Sequence, residues 1–325
     1  MSTFGSLTED EQKKLVSALA SEVATRYISD VSLIELINYE YNATFKVEDS
    51  DGVKFALRMN INSLRSKENL EAELAFVSHL ASSSVVKTPA PVKTLKGERS
   101  TSIRLDEADR DLHCVLYTWI DGEELGDGPT EEQLFALGEA MAQMHLACKD
   151  FSLPHGAKAP RLDDFFWGSP NLLFSAESEL EEKTQLKLKA GVDSINLIVA
   201  DLYKTSSPIL IHADLHGWNL MWNEGTLTVF DFDDCGLGLP IQDLATALYY
   251  LDTPEQDEAL KRGYRSVAPL PDASERTLKA LSLHRRILLL NYLYETNNPE
   301  HREMRPTYLE ETLRRLDQFI SGPSE

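Results

Sequence analysis

The sequence is short of positive charge. Its 325 residues carry 32 Lys and Arg against 53 Asp and Glu, a formal net charge of −21. Such a surface repels a phosphate backbone and argues against nucleic acid as a partner. It fits a self-repelling protein that stays in solution, with a mild preference for cationic small molecules. Cysteine is scarce as well. Cys114, Cys148 and Cys235 include no C-x-x-C pair, which argues against a disulfide framework or a thiolate zinc site and predicts a reducing, cytoplasmic setting. Long apolar runs are missing. The longest, such as Leu244–Leu251 and Ile287–Leu290, fall far short of the ~20 residues a membrane helix needs. The first residues have neither a basic n-region nor an apolar h-region. No internal repeat or low-complexity tract is present. The expectation is a cytoplasmic protein without a membrane anchor, acting on a small molecule as a monomer or homodimer.

What is present is ordinary globular composition, with 42% hydrophobic and 26% charged residues. At roughly 100–200 residues per domain the length suits two lobes. Thr8-x-x-Glu11 is a capping box opening a helix to about Tyr27. Leu33–Ile37, Thr44–Val47 and Val53–Met59 read as strands, with a turn over 49–52. A helix is predicted over Lys67–Ala81, and two more strands over Ile103–Leu105 and His113–Ile120. Beyond Asp121 the pattern turns helical. Thr130-x-x-Gln133 is a second capping box, and Leu134, Leu137, Met141, Met144 and Cys148 recur at helical spacing. Residues 152–175 read as loop and Glu177–Thr205 as helix. Ile209–Ile211 reads as a strand, followed by a hairpin of Asn219–Trp222 with Leu227–Phe232. The rest is mostly helix. This predicts an α+β, bilobal chain: a small β-rich lobe over 1–120 and a larger helical lobe over 121–325.

Chemistry-bearing residues are densest between Ile211 and Asp234. Asp214 and Asn219 stand five apart, the interval of the kinase catalytic loop H-R-D-L-x-x-x-N, and Asp231 follows a short hairpin where a kinase carries the Asp of D-F-G. Phosphoryl transfer asks mainly for charge placement. A carboxylate must take the hydroxyl proton, while an amide oxygen and a second carboxylate hold Mg²⁺, which prefers oxygen ligands. In the N-terminal half, Phe55-Ala-Leu-Arg58 matches V-A-I-K with Arg for Lys. Strand alternation puts Ala56 and Arg58 on one face, with room for a flat base beside a cation for phosphate. On the following helix Glu73 lies about 40° from the centre of the apolar face. An inward carboxylate is costly unless paired, and Arg58 is the natural partner. Backbone groups of Thr118 and Ile120, on the connecting segment, are candidates to meet an adenine edge.

These residues resemble the aminoglycoside phosphotransferase, choline kinase and homoserine kinase type II group, which has a protein-kinase-like fold. The stretch Leu210–Leu251 carries the signature, and the resemblance spans about residues 30–260. It implies Asp214 as catalytic base, Asn219 and Asp231 as Mg²⁺ ligands, and Arg58 with Glu73 as the pair positioning ATP phosphates. His212 is implied to brace the loop and Asp243 the base of the helical lobe. The phosphate-covering turn, Tyr39–Thr44, lacks G-x-G-x-x-G, leaving backbone amides of Asn42, Ala43 and Thr44 for that task.

The expected activity is transfer of the γ-phosphoryl of ATP to a hydroxyl of a small metabolite such as an amino alcohol. Two readings of the same fold stand beside it: a Ser/Thr protein kinase, and a non-catalytic Mg-ATP binder marked by the Arg-for-Lys exchange. His212-x-Asp214-x-His216 also reads as the metal triplet of a hydrolase. For the acceptor the signs conflict. Trp167, Trp218 and Trp222 as pocket walls, or Asp233 and Asp234, suit an amine. His284-Arg285-Arg286 on an apolar helix suits an anion.

Overall fold

A computed structural model describes residues 4–63, 65–296 and 298–322. Contacts divide the chain into two compact units: one runs to Asp121 and includes His155–Ala157, the other takes Gly122–Pro154 and Lys158 onward. The first comprises α1 (Glu9–Ala24), β1 (Val31–Tyr39), β2 (Ala43–Asp49), β3 (Lys54–Met59), α2 (Lys67–Ser83), β4 (Pro91–Val92), β5 (Thr101–Leu105) and β6 (Arg110–Thr118). Its strands form one sheet in the order β1-β2-β3-β6-β4, with β5 also pairing β6. Every pairing is antiparallel.

Local chemistry explains the ends of these elements. Thr8 and Glu11 cap each other reciprocally, the Thr8 N–H donating to Glu11 Oε2 at 2.8 Å. The helix they open stops at Ala24, before Tyr27, which turns away so that its hydroxyl donates to Cys114 O at 2.8 Å. β1 is longer than the apolar pattern predicts. Its alternation is broken by register shifts between Val31 and Leu33 and between Leu36 and Asn38, leaving Leu33 and Ile37 exposed. Behind the sheet, Val16, Ala20 and Val23 of α1 meet Phe45, Leu57, Leu105 and Leu116 in one apolar core.

The second unit comprises β7 (Glu123–Glu124), α3 (Glu131–Ala147), α4 (Glu182–Thr205), β8 (Ile209–Ile211), β9 (Leu220–Asn223), β10 (Thr226–Val229), β11 (Gly236–Gly238), α5 (Pro240–Tyr249), α6 (Pro254–Val267), α7 (Glu275–Glu295), α8 (Pro299–Glu303) and α9 (Arg305–Ser321). The Thr130–Gln133 box caps α3 as expected. α4 begins five residues later than its periodicity suggests, because Glu179 takes a left-handed φ of 54°. The hairpin strands end at Val229 rather than Phe232, because Asp231 has φ 58° and leaves extended geometry. α3 and α6 cross at two glycines. A Cβ on Gly138 would lie 2.1 Å from Leu260 O, and one on Gly263 1.9 Å from Phe135 O. No other residue permits that approach. All three cysteines are buried free thiols, and burial pushes Cys114 and Cys148 up to about 12. Among the described residues, no helix is long and apolar enough to cross a membrane.

Candidate active site

In the first unit, β3 and α2 place two opposite charges together. Arg58 Nη2 donates to Glu73 Oε2 at 2.6 Å, and both residues are buried, at 8% and 4% exposure. A buried pair holds only if the spare carboxylate oxygen is also satisfied. Tyr117 does this, its hydroxyl donating to Glu73 Oε1 at 2.9 Å while its ring lies 5.5 Å from the Arg58 guanidinium carbon. Tyr117 escaped the sequence reading. Its cue was register: it sits opposite Ala56, and cross-strand partners share a face with Ala56 and Arg58.

The other expected nucleotide contacts fare unevenly. Ala43 and Thr44 lie inside β2, paired with Met59 and Arg58 on one side and Tyr39 and Asn38 on the other. Of the three residues assigned to the turn, only Asn42 remains in it, its carbonyl accepting the Glu40 N–H at 3.1 Å. Thr118 ends β6, and its N–H donates to Ala90 O at 3.0 Å while its hydroxyl accepts from Ala90 N–H. That N–H is therefore spent and cannot serve a base edge. Ile120 lies beyond the strand, which ends two residues earlier than predicted.

In the second unit the loop after β8 is fixed from below by Asp243, fully buried on α5. Asp243 Oδ1 accepts the Ala213 N–H at 2.6 Å, and Oδ2 accepts the His212 N–H at 3.1 Å. Oδ2 also faces His145 Nε2 at 3.0 Å, and Tyr264 holds the other imidazole nitrogen at 2.9 Å. The bond at Ala213 secures a left-handed φ of 69°, a conformation that costs a non-glycine residue about 1–2 kcal/mol. His212 Nε2 donates to Phe230 O at 3.0 Å, and its Nδ1 accepts the Asp214 N–H at 3.3 Å. With both ring nitrogens committed, His212 is no metal ligand. Among the described residues no three His, Cys, Asp or Glu converge as a metal site. The hydrolase triplet is thereby discarded.

Asp214 stands on this loop. Asn219 Nδ2 donates to Asp214 O at 2.8 Å and reaches Asp214 Oδ2 at 3.3 Å. His216 Nδ1 accepts the Trp218 N–H, and its Nε2 lies 3.4 Å from Asp214 Oδ2 and 3.2 Å from Asn219 Nδ2. On the other side Arg285 of α7 donates to Asp214 Oδ1. Burial pushes Asp214 up, but Arg285, then His216 and His212, outweigh it and hold the carboxyl below the usual carboxylate range. The α7 triplet divides its labour. His284 Nε2 donates to Phe165 O at 2.7 Å. Arg286 is bound to Thr312, Tyr249 and the Tyr308 carbonyl. Arg285 alone faces Asp214, and its cue in sequence was a cation on an apolar helix.

Asn219 and Asp231 are joined through Phe230, whose N–H donates to Asn219 O at 3.1 Å and whose carbonyl is held by His212. Asp231 follows directly and is exposed. With the Asn219 NH₂ turned to Asp214 and His216, Oδ1 is the atom of that amide that could serve a cation. One amide oxygen and one carboxylate suit a hard divalent cation, with room in the coordination shell for phosphate oxygens. Two residues before Asn219, Gly217 lets the loop pack against the backbone at Gly126: a Cβ there would sit 1.8 Å from Gly126 O. Beside the loop lies a pocket of about 310 Å³, lined by His216, Trp218, Leu134, Tyr249, Tyr250 and Arg286 among others. Trp218 borders it and bonds Asp127 through Nε1 at 2.8 Å. Trp167 is buried against His284 instead.

Comparison with known proteins gives these placements a context. The chain is 26% identical over 259 residues to amicoumacin kinase of Bacillus subtilis (strain 168), covering 77% of this chain and 72% of that one. It is 28% identical over 221 residues to homoserine kinase of Polaromonas naphthalenivorans (strain CJ2), covering 65% and 66%. Among solved structures it is similar to a microcompartment-associated aminopropanol kinase, with a TM-score of 0.73, 25% identity, and 94% and 97% of the two chains covered. The model of the phosphotransferase enzyme family matches residues 35–278. The chain belongs to the phosphotransferase enzyme family.

Proposed function

We propose that the protein transfers the γ-phosphoryl of ATP to the hydroxyl of a small amino alcohol. The observation that carries this reading is the Asp214–Asn219 arrangement. One amide group fixes the carboxylate with its nitrogen and leaves its oxygen for a cation. Asp214 orients the acceptor hydroxyl and takes its proton, while Asn219 and Asp231 would hold Mg²⁺. When bound, Mg²⁺ neutralises phosphate charge. In the first unit, Arg58, held by Glu73 and Tyr117, offers a cation suited to phosphate oxygens.

Size and charge support this acceptor class. A pocket of about 310 Å³ is at the small end of ligand cavities. Near Asp214, one guanidinium, Arg285, faces two carboxylates, Asp214 and Asp234. Arg286, the other candidate for an anion, is bound within the protein. The second carboxylate of this group, Asp234, would suit an ammonium group on the acceptor. The names of the relatives, homoserine kinase and aminopropanol kinase, support an acceptor bearing both an amine and a hydroxyl. Three buried free thiols support a reducing, cytoplasmic site of action.

The test is ADP release with Mg-ATP across a panel: homoserine, 1-aminopropan-2-ol, ethanolamine, choline, aminoglycosides, simple sugars and a Ser/Thr protein. One amino alcohol should stimulate release, and Asp214→Asn should cut it by about 10²–10⁴ while ATP binding persists. Stimulation by the protein alone would replace the acceptor class. Full turnover in Asp214→Asn would remove the base.

A further inference from the structure

We infer that Arg285, clamped by Tyr250, is a positioning residue that fixes the aim of the Asp214 carboxylate; the inference rests on the phosphotransfer reading above. Arg285 lies on α7, 71 residues from Asp214. Its Nη2 donates both to Asp214 Oδ1 and, at 2.8 Å, to the Tyr250 hydroxyl. Its Nε reaches the same hydroxyl at 3.1 Å, and Nη1 lies 3.8 Å from Asp234 Oδ2. The guanidinium carbon stands 5.7 Å from the centre of the Tyr250 ring. Tyr250 in turn packs on His216 at 4.7 Å between ring centres. The planar fork is therefore gripped along one edge, and a lysine could not reproduce the grip.

The consequence for Asp214 is a matter of lone pairs. A carboxylate offers about four acceptor sites. Asn219 and His216 face Oδ2, and Arg285 occupies one side of Oδ1. The carboxylate cannot rotate without breaking contacts on both oxygens. An acceptor hydroxyl meets the remaining lone pair of Oδ1, in one orientation. A role in stability alone explains the arrangement poorly. The Arg285 and Asp214 side chains are only 7% and 18% exposed, and a buried ion pair is often no more stable than apolar residues of similar volume. Here the pair falls on the one carboxylate expected to meet the reacting hydroxyl.

The experiment compares wild type with Arg285→Met, Arg285→Lys, Tyr250→Phe and Asp214→Asn. Mg-ATP turnover is read with the stimulating acceptor of the panel, and with water as acceptor where none stimulates. Binding of Mg-AMP-PNP is titrated separately. Arg285→Met should lower kcat by about 10²-fold, since it disarms the group whose own loss costs about 10²–10⁴. Its nucleotide affinity should stay within about threefold, because no uniform binding is removed. Tyr250→Phe, which keeps the ring and removes one hydroxyl, should lose about three- to tenfold. Arg285→Lys should stay near the Met variant. Should Arg285→Met fail to fold, Tyr250→Phe and Arg285→Lys decide. Wild-type kcat in folded Arg285→Met or Arg285→Lys, with Asp214→Asn inactive, overturns the positioning role and leaves phosphotransfer standing. No Asp214-dependent turnover in wild type overturns both.

Discussion

Replacing Asp243 by Asn tests how the loop is held. Asp243 accepts three hydrogen bonds with no exposure to solvent: Ala213 N–H on Oδ1, and His212 N–H with His145 Nε2 on Oδ2. An amide has one acceptor oxygen. If it takes the place of Oδ2, its NH₂ meets the Ala213 N–H that now lies 2.6 Å from Oδ1. If it takes the place of Oδ1, two donors are orphaned instead. The milder choice loses one bond to a charged acceptor, about 1.5–3 kcal/mol, and buries an unsatisfied donor, about 1–3 kcal/mol more. Removing the buried charge offsets part of this, so a loss of about 3 kcal/mol is expected. The local effect should be larger than the global one, since Ala213 needs that bond to keep φ at 69°. Asp214 is the next residue, and kcat should fall about 10- to 100-fold with the KM for ATP within about threefold. Urea unfolding measures the stability, ADP release the turnover, and hydrogen exchange at the Ala213 amide the local opening. A variant within about 0.5 kcal/mol of wild type, with slow exchange at Ala213 and full turnover, would refute the reasoning.

Two further perturbations probe other parts. Arg58→Met leaves Glu73, 4% exposed, with Tyr117 as its remaining partner. It should cost about 3–5 kcal/mol and raise the KM for ATP about tenfold or more without moving that of the acceptor. Adding Glu73→Leu should recover stability but not ATP affinity, and a wild-type KM for ATP in either variant counts against the pair. His284 provides a pH test. Burial, opposed by its bond to Phe165 O, pushes it down to about 4, whereas the unfolded chain titrates near 6.5. Between these values only the unfolded state gains the proton. This contribution is full above about pH 6.5 and is lost as pH falls toward 4, to a limit of about 3 kcal/mol. Urea unfolding at pH 7 and 4.5 should show that loss, and His284→Gln should flatten it. An unchanged pH slope in the variant would exclude His284 as its source.

Part of this protein was legible in sequence because the chemistry is local. The capping boxes at Thr8 and Thr130 are set by side chains three residues from the bonds they make. The Asp214-x₄-Asn219 spacing lets one amide reach a backbone carbonyl five residues back. Glu73 was legible by periodicity, since a carboxylate on the apolar side of α2 needs a cation and β3 carries one at Arg58. Where periodicity alone was used, it misplaced ends. It ran α1 on to Tyr27 and started α4 at Glu177, because an apolar pattern does not register a left-handed residue such as Glu179 or a tyrosine drawn to a distant carbonyl.

The periodic elements and the loop motif are fixed by forces that act within a few residues or along one face, and the inward Glu73 by its need for a cation. Tertiary structure alone decided what the remaining charges do. The Thr118 N–H is withdrawn from a base edge because the Ala90 carbonyl takes it. Arg286 turns inward to Thr312 and the Tyr308 carbonyl, while its neighbour Arg285 meets Asp214. Adjacent residues on one helix point about 100° apart. Their partners lie on elements tens of residues away, and only packing brings those elements within reach.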